Sequence, residues 1–192
     1  DTLLPARVQG SVGVYRQKTV DRLFSGMLNA RFSELAQKPD APFVFGFSGR
    51  GTFTARTKEI AFLTALVKEG SVELALRALL TEAERVARFG FTETELARQK
   101  ASMLRNYERL ALEKENALSA AKAGEYVRNF LLNETLPGAD NEYALHQRFL
   151  PEITLAEINK LAREWFPVSP QNRLVILTAP QKTGLEIPDE PK

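Results

Sequence analysis

The sequence predicts an α+β domain: a small, mostly antiparallel sheet with several helices packed on one side of it. Three observations carry this. Apolar residues recur at steps of three and four along most of the chain. Two short segments rich in Phe, Val and Thr sit together between residues 42 and 68. The two kinds of segment are segregated rather than alternating, in the order helix, two strands, four helices, one strand.

Residues 1–12 carry Pro5 and Gly10 without a period, and read as a terminal loop or linker. From about Gly13 to Lys38, Val20, Leu23, Phe24, Met27, Leu28, Phe32 and Leu35 mark one helix face, and Pro39 and Pro42 end the helix. Residues 43–53 and 57–68 follow as strands. Gly46, Gly49 and Gly51 in the first suggest a bend, a bulge or a close backbone approach. The second also contains Ala, Leu, Lys and Glu, which leaves a helix as the alternative; its short length and its end at Gly70 select the strand. From Ser71 the helical period returns in Leu74, Leu76, Leu79, Leu80, Ala83, Val86 and Ala87, and stops at Gly90.

A long helix then runs from about residue 93, with a break placed near Leu118–Gly124, until Pro137 and Gly138 close it. NEYALHQRF, about 140–149, is a short helix, and another covers 155–165. Pro167 and Pro170 bracket a turn before RLVILTA (173–179), which reads as a buried strand by its Val, Ile and Leu content. Residues 181–192 read as a linker or disordered tail, leaving 13–180 as a single domain.

Two of these helices are opened by the same device. In GFTETEL the Thr92 hydroxyl can cap the helix while Glu95 reaches back to the Thr92 amide, and Phe91 can pack on Leu96. Ile153, Thr154, Glu157 and Ile158 repeat the pattern.

Composition narrows the function. With 44% hydrophobic and 26% charged residues over 192 positions, the chain can bury a core without staples. A net charge of +2, with both signs interleaved, does not argue for nucleic acid. No apolar run approaches the roughly 20 residues of a membrane span. There is no cysteine, which excludes disulfides and thiolate metal sites and leaves the compartment open between cytoplasm and periplasm. No signal peptide is read, and a start on Asp1 rather than Met suggests a cut or processed piece.

Candidate chemistry is scarce. A zincin helix needs two histidines on one face with a glutamate acting on the water. This chain has one histidine, His146, expected as a partly exposed helix residue with a hydrogen-bonded ring. No G-x-S-x-G elbow is present, and SGRGTF lacks the G-x-x-x-x-G-K-S/T phosphate cradle; it reads as a bulge or turn. The carboxylate pairs Glu82/Glu84 and Glu93/Glu95 are expected on solvated helix faces, and Phe24, Phe32, Phe43, Phe45, Phe47 and Phe130 in the core. No catalytic, cofactor-binding or metal-binding residue is assigned.

Taken in order, the long segments resemble the pitrilysin/insulinase family of zinc metallopeptidases, in one of its non-catalytic domains. The helix YRQKTVDRLFSGMLNARFSELAQ is similar to the family's M/L-L-x-x-R-[LF]-x-x-L ending, and PFVFGFSGRG to the strand that follows it. RFGFTETELARQKASMLRNYE is similar to G-[FVI]-T-x-x-E-L-x-x-[AQ]-K, where a long helix opens. EITLAEINKLAREWF with NRLVIL is similar to the closing I-T-x-x-[ED]-[IV] helix and N-x-x-[VL]-x-[VIL] strand; the likeness covers about residues 13–178.

The resemblance implies two halves around a chamber, each half with two related α+β domains. The inverted zincin motif H-x-x-E-H and a downstream glutamate ligand belong to the first domain and match nothing here. The family's fourth domain carries an Arg and a Tyr seven residues apart, which aid substrate binding and transition-state stabilisation. Arg31 stands at the arginine position, but Lys38 replaces the tyrosine, so the second domain is the better match and no catalytic role passes to Arg31. A helix C-terminal charge acting on the dipole accounts for Arg31.

The expectation is therefore a non-catalytic domain of a larger zinc-dependent endopeptidase, forming part of the peptide-enclosing chamber and supporting the zinc-binding domain. Zinc is expected in the parent protein and not in this chain. Its expected partners are the neighbouring peptidase domains and peptide substrate, with no nucleic acid or membrane, and with homodimers of the isolated fragment plausible through a bared sheet edge. The alternatives are a domain of a catalytically inactive scaffold or partner subunit of the same family, and an independent protein-binding domain. For bacterial members of this kind the family suggests the periplasm.

Overall fold

Ser11 opens the first helix by accepting a hydrogen bond on its hydroxyl from the Val14 amide, at 3.2 Å. In the computed structural model, which describes residues 2–52, 57–167 and 174–181, this helix (α1, Val12–Ala36) is the axis of the fold. Its Val20, Leu23, Phe24, Met27, Leu28 and Phe32 are buried, at the spacing the sequence predicts. Two strands follow, β2 (Phe45–Thr52) and β3 (Lys58–Leu66), after a short strand β1 (Thr2–Pro5) at the start of the chain. Then come α2 (Val72–Phe89), α3 (Glu93–Leu112), α4 (Ser119–Leu132), α5 (Ala139–Glu152) and α6 (Leu155–Trp165).

The sheet is antiparallel in the order β1-β3-β2, with β3 central. Ser48 faces Leu63 across β2 and β3, and Thr2 faces Ala61 across β1 and β3. α1 packs on β2 and α2 on β3. Phe24 sits at the centre of the core, with ring centroids 4.8 Å from Trp165, 5.4 Å from Phe91 and 6.1 Å from Phe166. Burying each of these large side chains stabilises the fold by about 1.5–3 kcal/mol. No helix among the described residues is long and apolar enough to cross a membrane.

Three expectations are corrected. Residues 1–12 are not all loop: Thr2–Pro5 pair with Ala61–Lys58 of β3. Four residues ending in proline carry no local period, so this strand owes its existence to its partner. Conversely, residues 174–180 form no strand, and Leu174, Val175, Ile176 and Leu177 are exposed. An apolar run has strand propensity but does not specify which edge receives it. Arg173 and the tail beyond Gln181 lie outside the described residues. Finally, the long helix breaks earlier than expected. α3 ends at Leu112, a single 3-10 turn covers Lys114–Asn116, and Gly124 lies inside α4.

The two capping devices differ. Thr92 and Glu95 form the full reciprocal box: the Glu95 amide donates to Thr92 Oγ1 at 3.3 Å, and the Thr92 amide donates to Glu95 Oε2 at 2.7 Å. Thr154 accepts from the Glu157 amide at 3.3 Å, but the Glu157 carboxylate is drawn away to Arg16 of α1. The second device is half a box, and its carboxylate ties two helices together instead.

Candidate functional site

A groove of about 710 Å³ runs between α1, the edge strand β2 and the end of α4. Glycine shapes its sheet wall. A Cβ on Gly49 would meet the Phe62 ring at 2.8 Å, and one on Gly46 would meet Phe43 and Phe32 at 3.1–3.2 Å. Adjacent aromatic side chains therefore lie against the strand backbone. β2 pairs continuously from Phe45 to Thr52, so no bulge or turn interrupts it there, and of the readings expected for these glycines Gly46 and Gly49 take the close approach.

Most charges along the groove are paired with one another; Arg22, which also lines it, donates to the Tyr107 hydroxyl instead. Arg7 pairs with Asp21, and Arg50 with Glu59 at 2.6 Å. Glu134 takes both Lys18 at 3.1 Å and Arg128 at 2.9 Å. Burial raises the Glu134 carboxyl's pKa, but hydrogen bonds and charge from Lys18 and Arg128 outweigh it and hold the group below the usual carboxylate range.

The free edge of β2 is closed at its middle. Asn29 Oδ1 accepts from the Ser48 amide at 2.6 Å and from the Ser48 hydroxyl at 2.9 Å, and Asn29 Nδ2 donates to the Ser48 carbonyl at 3.2 Å. In an antiparallel pair alternate residues point their backbone groups outward. Ser48 is such a residue, and a side chain from α1 occupies the place of a neighbouring strand. The sequence contains no local signal for this contact.

His146 lies elsewhere, between α1, α3 and α5. It is fully buried, contrary to the partly exposed position expected. Its ring stacks on Tyr107 at 3.6 Å and meets Tyr15 edge-on at 5.7 Å. Nδ1–H donates to the Glu142 carbonyl at 2.6 Å, and Nε2 has no hydrogen-bond partner among the described residues. Burial lowers the imidazole pKa, the Glu142 carbonyl partly restores it, and the Arg22 charge lowers it further. Tyr15 donates to Glu142 Oε1 at 3.0 Å, and Arg22 donates to the Tyr107 hydroxyl at 2.6 Å. This polar cluster joins three helices. A backbone-bonded Nδ1–H would suit a metal ligand, but this imidazole is sealed between two tyrosine rings with no companion ligands beside it among the described residues, which does not fit a hydrolytic zinc. Among the described residues no group of three His, Asp or Glu side chains could hold a metal.

The carboxylates expected on solvated faces divide. Glu82 is buried, with Arg85 at 2.6 Å and Arg31 at 3.8 Å, and Glu95 is held by Arg31, whereas Glu84 is exposed beside Arg88. Arg31 does not act on the dipole of its own helix. Its guanidinium grips both Glu95 oxygens, reaches the Gly90 carbonyl at 3.3 Å and lies over the Phe91 ring at 4.8 Å. Of the aromatics assigned to the core, Phe24, Phe32 and Phe43 are buried, and Phe45, Phe47 and Phe130 are exposed.

No family model matches this chain. A zinc protease described as PQQL-like, from Arabidopsis thaliana, is 22% identical over 161 residues. That alignment spans 84% of this chain but 14% of the relative. Among solved structures, the first half of the periplasmic protease PqqL from Escherichia coli superposes with a TM-score of 0.76 at 17% identity, covering 85% of this chain and 35% of that one. Intact PqqL gives 0.77 at 16% identity, over 89% and 18% of the two chains. A predicted insulinase family protease from Yersinia pestis gives 0.73 at 11% identity, over 91% and 40%. The chain thus has the fold found in part of these proteases, and spans about a seventh of the curated relative it matches.

Proposed function

We propose that this chain, which resembles the insulinase-type zinc proteases in sequence and has the fold of part of them, is a non-catalytic domain of a larger zinc-dependent endopeptidase. The observation that carries the reading is the asymmetry of the match: 84% of this chain against 14% of a zinc protease. Such a domain forms part of the wall of a peptide-enclosing chamber and supports the adjacent zinc-binding domain.

The residues fit this division of labour. Metal-assisted hydrolysis needs a zinc with an open position and a base beside it. This chain offers one histidine, sealed against Tyr107, and no thiol. Zinc in the parent protein would be held by the neighbouring domain, and no hydrolytic step is assigned to any residue here. The groove along β2 supports the wall role: it presents paired charges and the rings of Phe47 and Phe62 to an extended peptide. With Asn29 seated on Ser48, such a peptide contacts side chains there rather than lengthening the sheet. Arg31, engaged by Glu95 and Gly90, fits the second domain better than the fourth.

The test is the coding sequence that precedes this chain. An H-x-x-E-H motif within the roughly 200 residues upstream, one domain's length, is the expected finding. A parent protein without it is not the active peptidase proposed.

A further inference from the structure

We infer that the outer face of α4 is the surface by which this chain docks onto another domain of its own polypeptide; the inference rests on the proposed place in a longer protease. α4 is amphipathic in the wrong direction for this domain. At 100° per residue, Ala120, Ala123, Tyr126, Val127, Phe130 and Leu131 share one side, and Lys122, Glu125, Arg128 and Asn129 share the other. Yet no side chain of the helix is buried: Phe130 is 85% exposed, Tyr126 65% and Val127 55%. What ties the helix down is polar and lies at its ends. Arg128 and Lys18 meet on Glu134, the Asn129 amide donates to the Glu134 carbonyl at 2.6 Å, and Lys114 reaches Asp140 before the helix starts.

A helix of 14 residues is marginal on its own in water and normally persists by packing its apolar face. Among the described residues most of that face is exposed, and only Leu131 turns into the groove beside α1 and β2. Aromatic residues concentrated on an uncharged patch are the composition of an interface centre.

The size of the face selects the occupant. The helix is about 21 Å long. Covering its two aromatic and two larger aliphatic side chains removes on the order of 500 Å² from water on this side. Separate chains need roughly 800 Å² per partner for a stable complex, so a second copy or a free protein finds too little here. A domain on the same chain is held nearby by its linker, and small interfaces suffice between such domains. The relatives supply the length: most of each matched protease lies outside the segment this chain covers.

The experiment uses the full-length polypeptide with the photo-crosslinker p-benzoylphenylalanine in place of Phe130 or, on the opposite side of the helix, Glu125. After irradiation, peptide mapping is expected to join position 130 to residues outside 1–192 of the same polypeptide, with loss of that product at position 125. Crosslinks from position 130 to a second copy, to added casein peptide alone, to residues within 1–192, or to nothing overturn the inference. Peptidase activity of the same preparation is measured separately. Its absence counts against the parental activity and leaves the crosslink result to decide the docking.

Discussion

Arg31 and Glu95 stand 64 residues apart and meet as a two-pronged ion pair, Nε to Oε1 at 2.7 Å and Nη2 to Oε2 at 3.1 Å. Glu95 is also the returning arm of the α3 capping box, so one carboxylate fixes both the start of α3 and its attachment to α1. Replacing Arg31 by Ala leaves this carboxylate half-buried without its partner. The expected cost is about 2 kcal/mol, read as a lower urea midpoint with unchanged slope. Arg31→Lys recovers less than half, because an ammonium cannot reproduce the planar fork. A variant as stable as the parent would show the pair to be ornamental.

The same carboxylate sets an acid limit. Burial raises the Glu95 pKa, but the Arg31 and Thr92 hydrogen bonds and the Arg31 charge outweigh it and leave the folded value lowered. A lowered folded value means stability that is present above the unfolded pKa, about 4.3, and lost as pH falls through the folded one. Glu95→Gln should therefore destabilise at pH 7, and the difference from the parent should shrink as pH falls below about 4.3. A pH-independent difference contradicts this.

His146 gives the second pH signature. Its folded pKa is lowered, so the unfolded chain takes up the proton first and stability declines as pH drops below about 6.5. Glu142, shifted upward by burial, works in the opposite sense, losing stability as pH rises through its folded value. Comparing the parent with His146→Phe cancels that contribution. The phenyl ring keeps the stack on Tyr107, and urea unfolding at pH 5 and 7.5 should show a smaller fall for the variant. Equal falls would mean that the imidazole does not titrate with unfolding.

Asn29→Ala bares both backbone groups of Ser48, a residue with no exposed surface. The expected loss is about 1–3 kcal/mol, accompanied by concentration-dependent association as the β2 edge opens. Denaturation and sedimentation velocity read the two effects. An Asn29→Ala chain that is fully stable and monomeric removes the clasp from the account.

Gly90 joins α2 to α3 at φ 73°, ψ −167°, a region open almost only to glycine. A Cβ there would lie 2.5 Å from Nδ2 of Asn159, whose Oδ1 accepts the Phe91 amide at 2.8 Å. Gly90→Ala combines strain with the loss of this bond and should cost about 2–3 kcal/mol, measured as a lower melting temperature.

What could be read from the sequence was local. The face of α1, the stop at Gly90 and the openings at Thr92 and Thr154 depend on residues within a turn or two of each other. β1 and the exposed run 174–180 depart from their local patterns because a strand is made by its neighbour, and no short window contains both. The closure of Ser48 by Asn29 spans 19 residues, and the Arg31–Glu95 pair far more. The type and helix position of His146 say little about its burial, because the Tyr107 and Tyr15 rings that cover it come from two other helices.

In the proposed function the hydrolytic groups are supplied from outside these residues. Metal analysis of the purified chain after dialysis against zinc, with a peptide-cleavage assay on the same sample, tests it most directly. The account predicts well under one zinc per chain and no cleavage with zinc present. One tightly held zinc per chain with cleavage abolished by a chelator would contradict it.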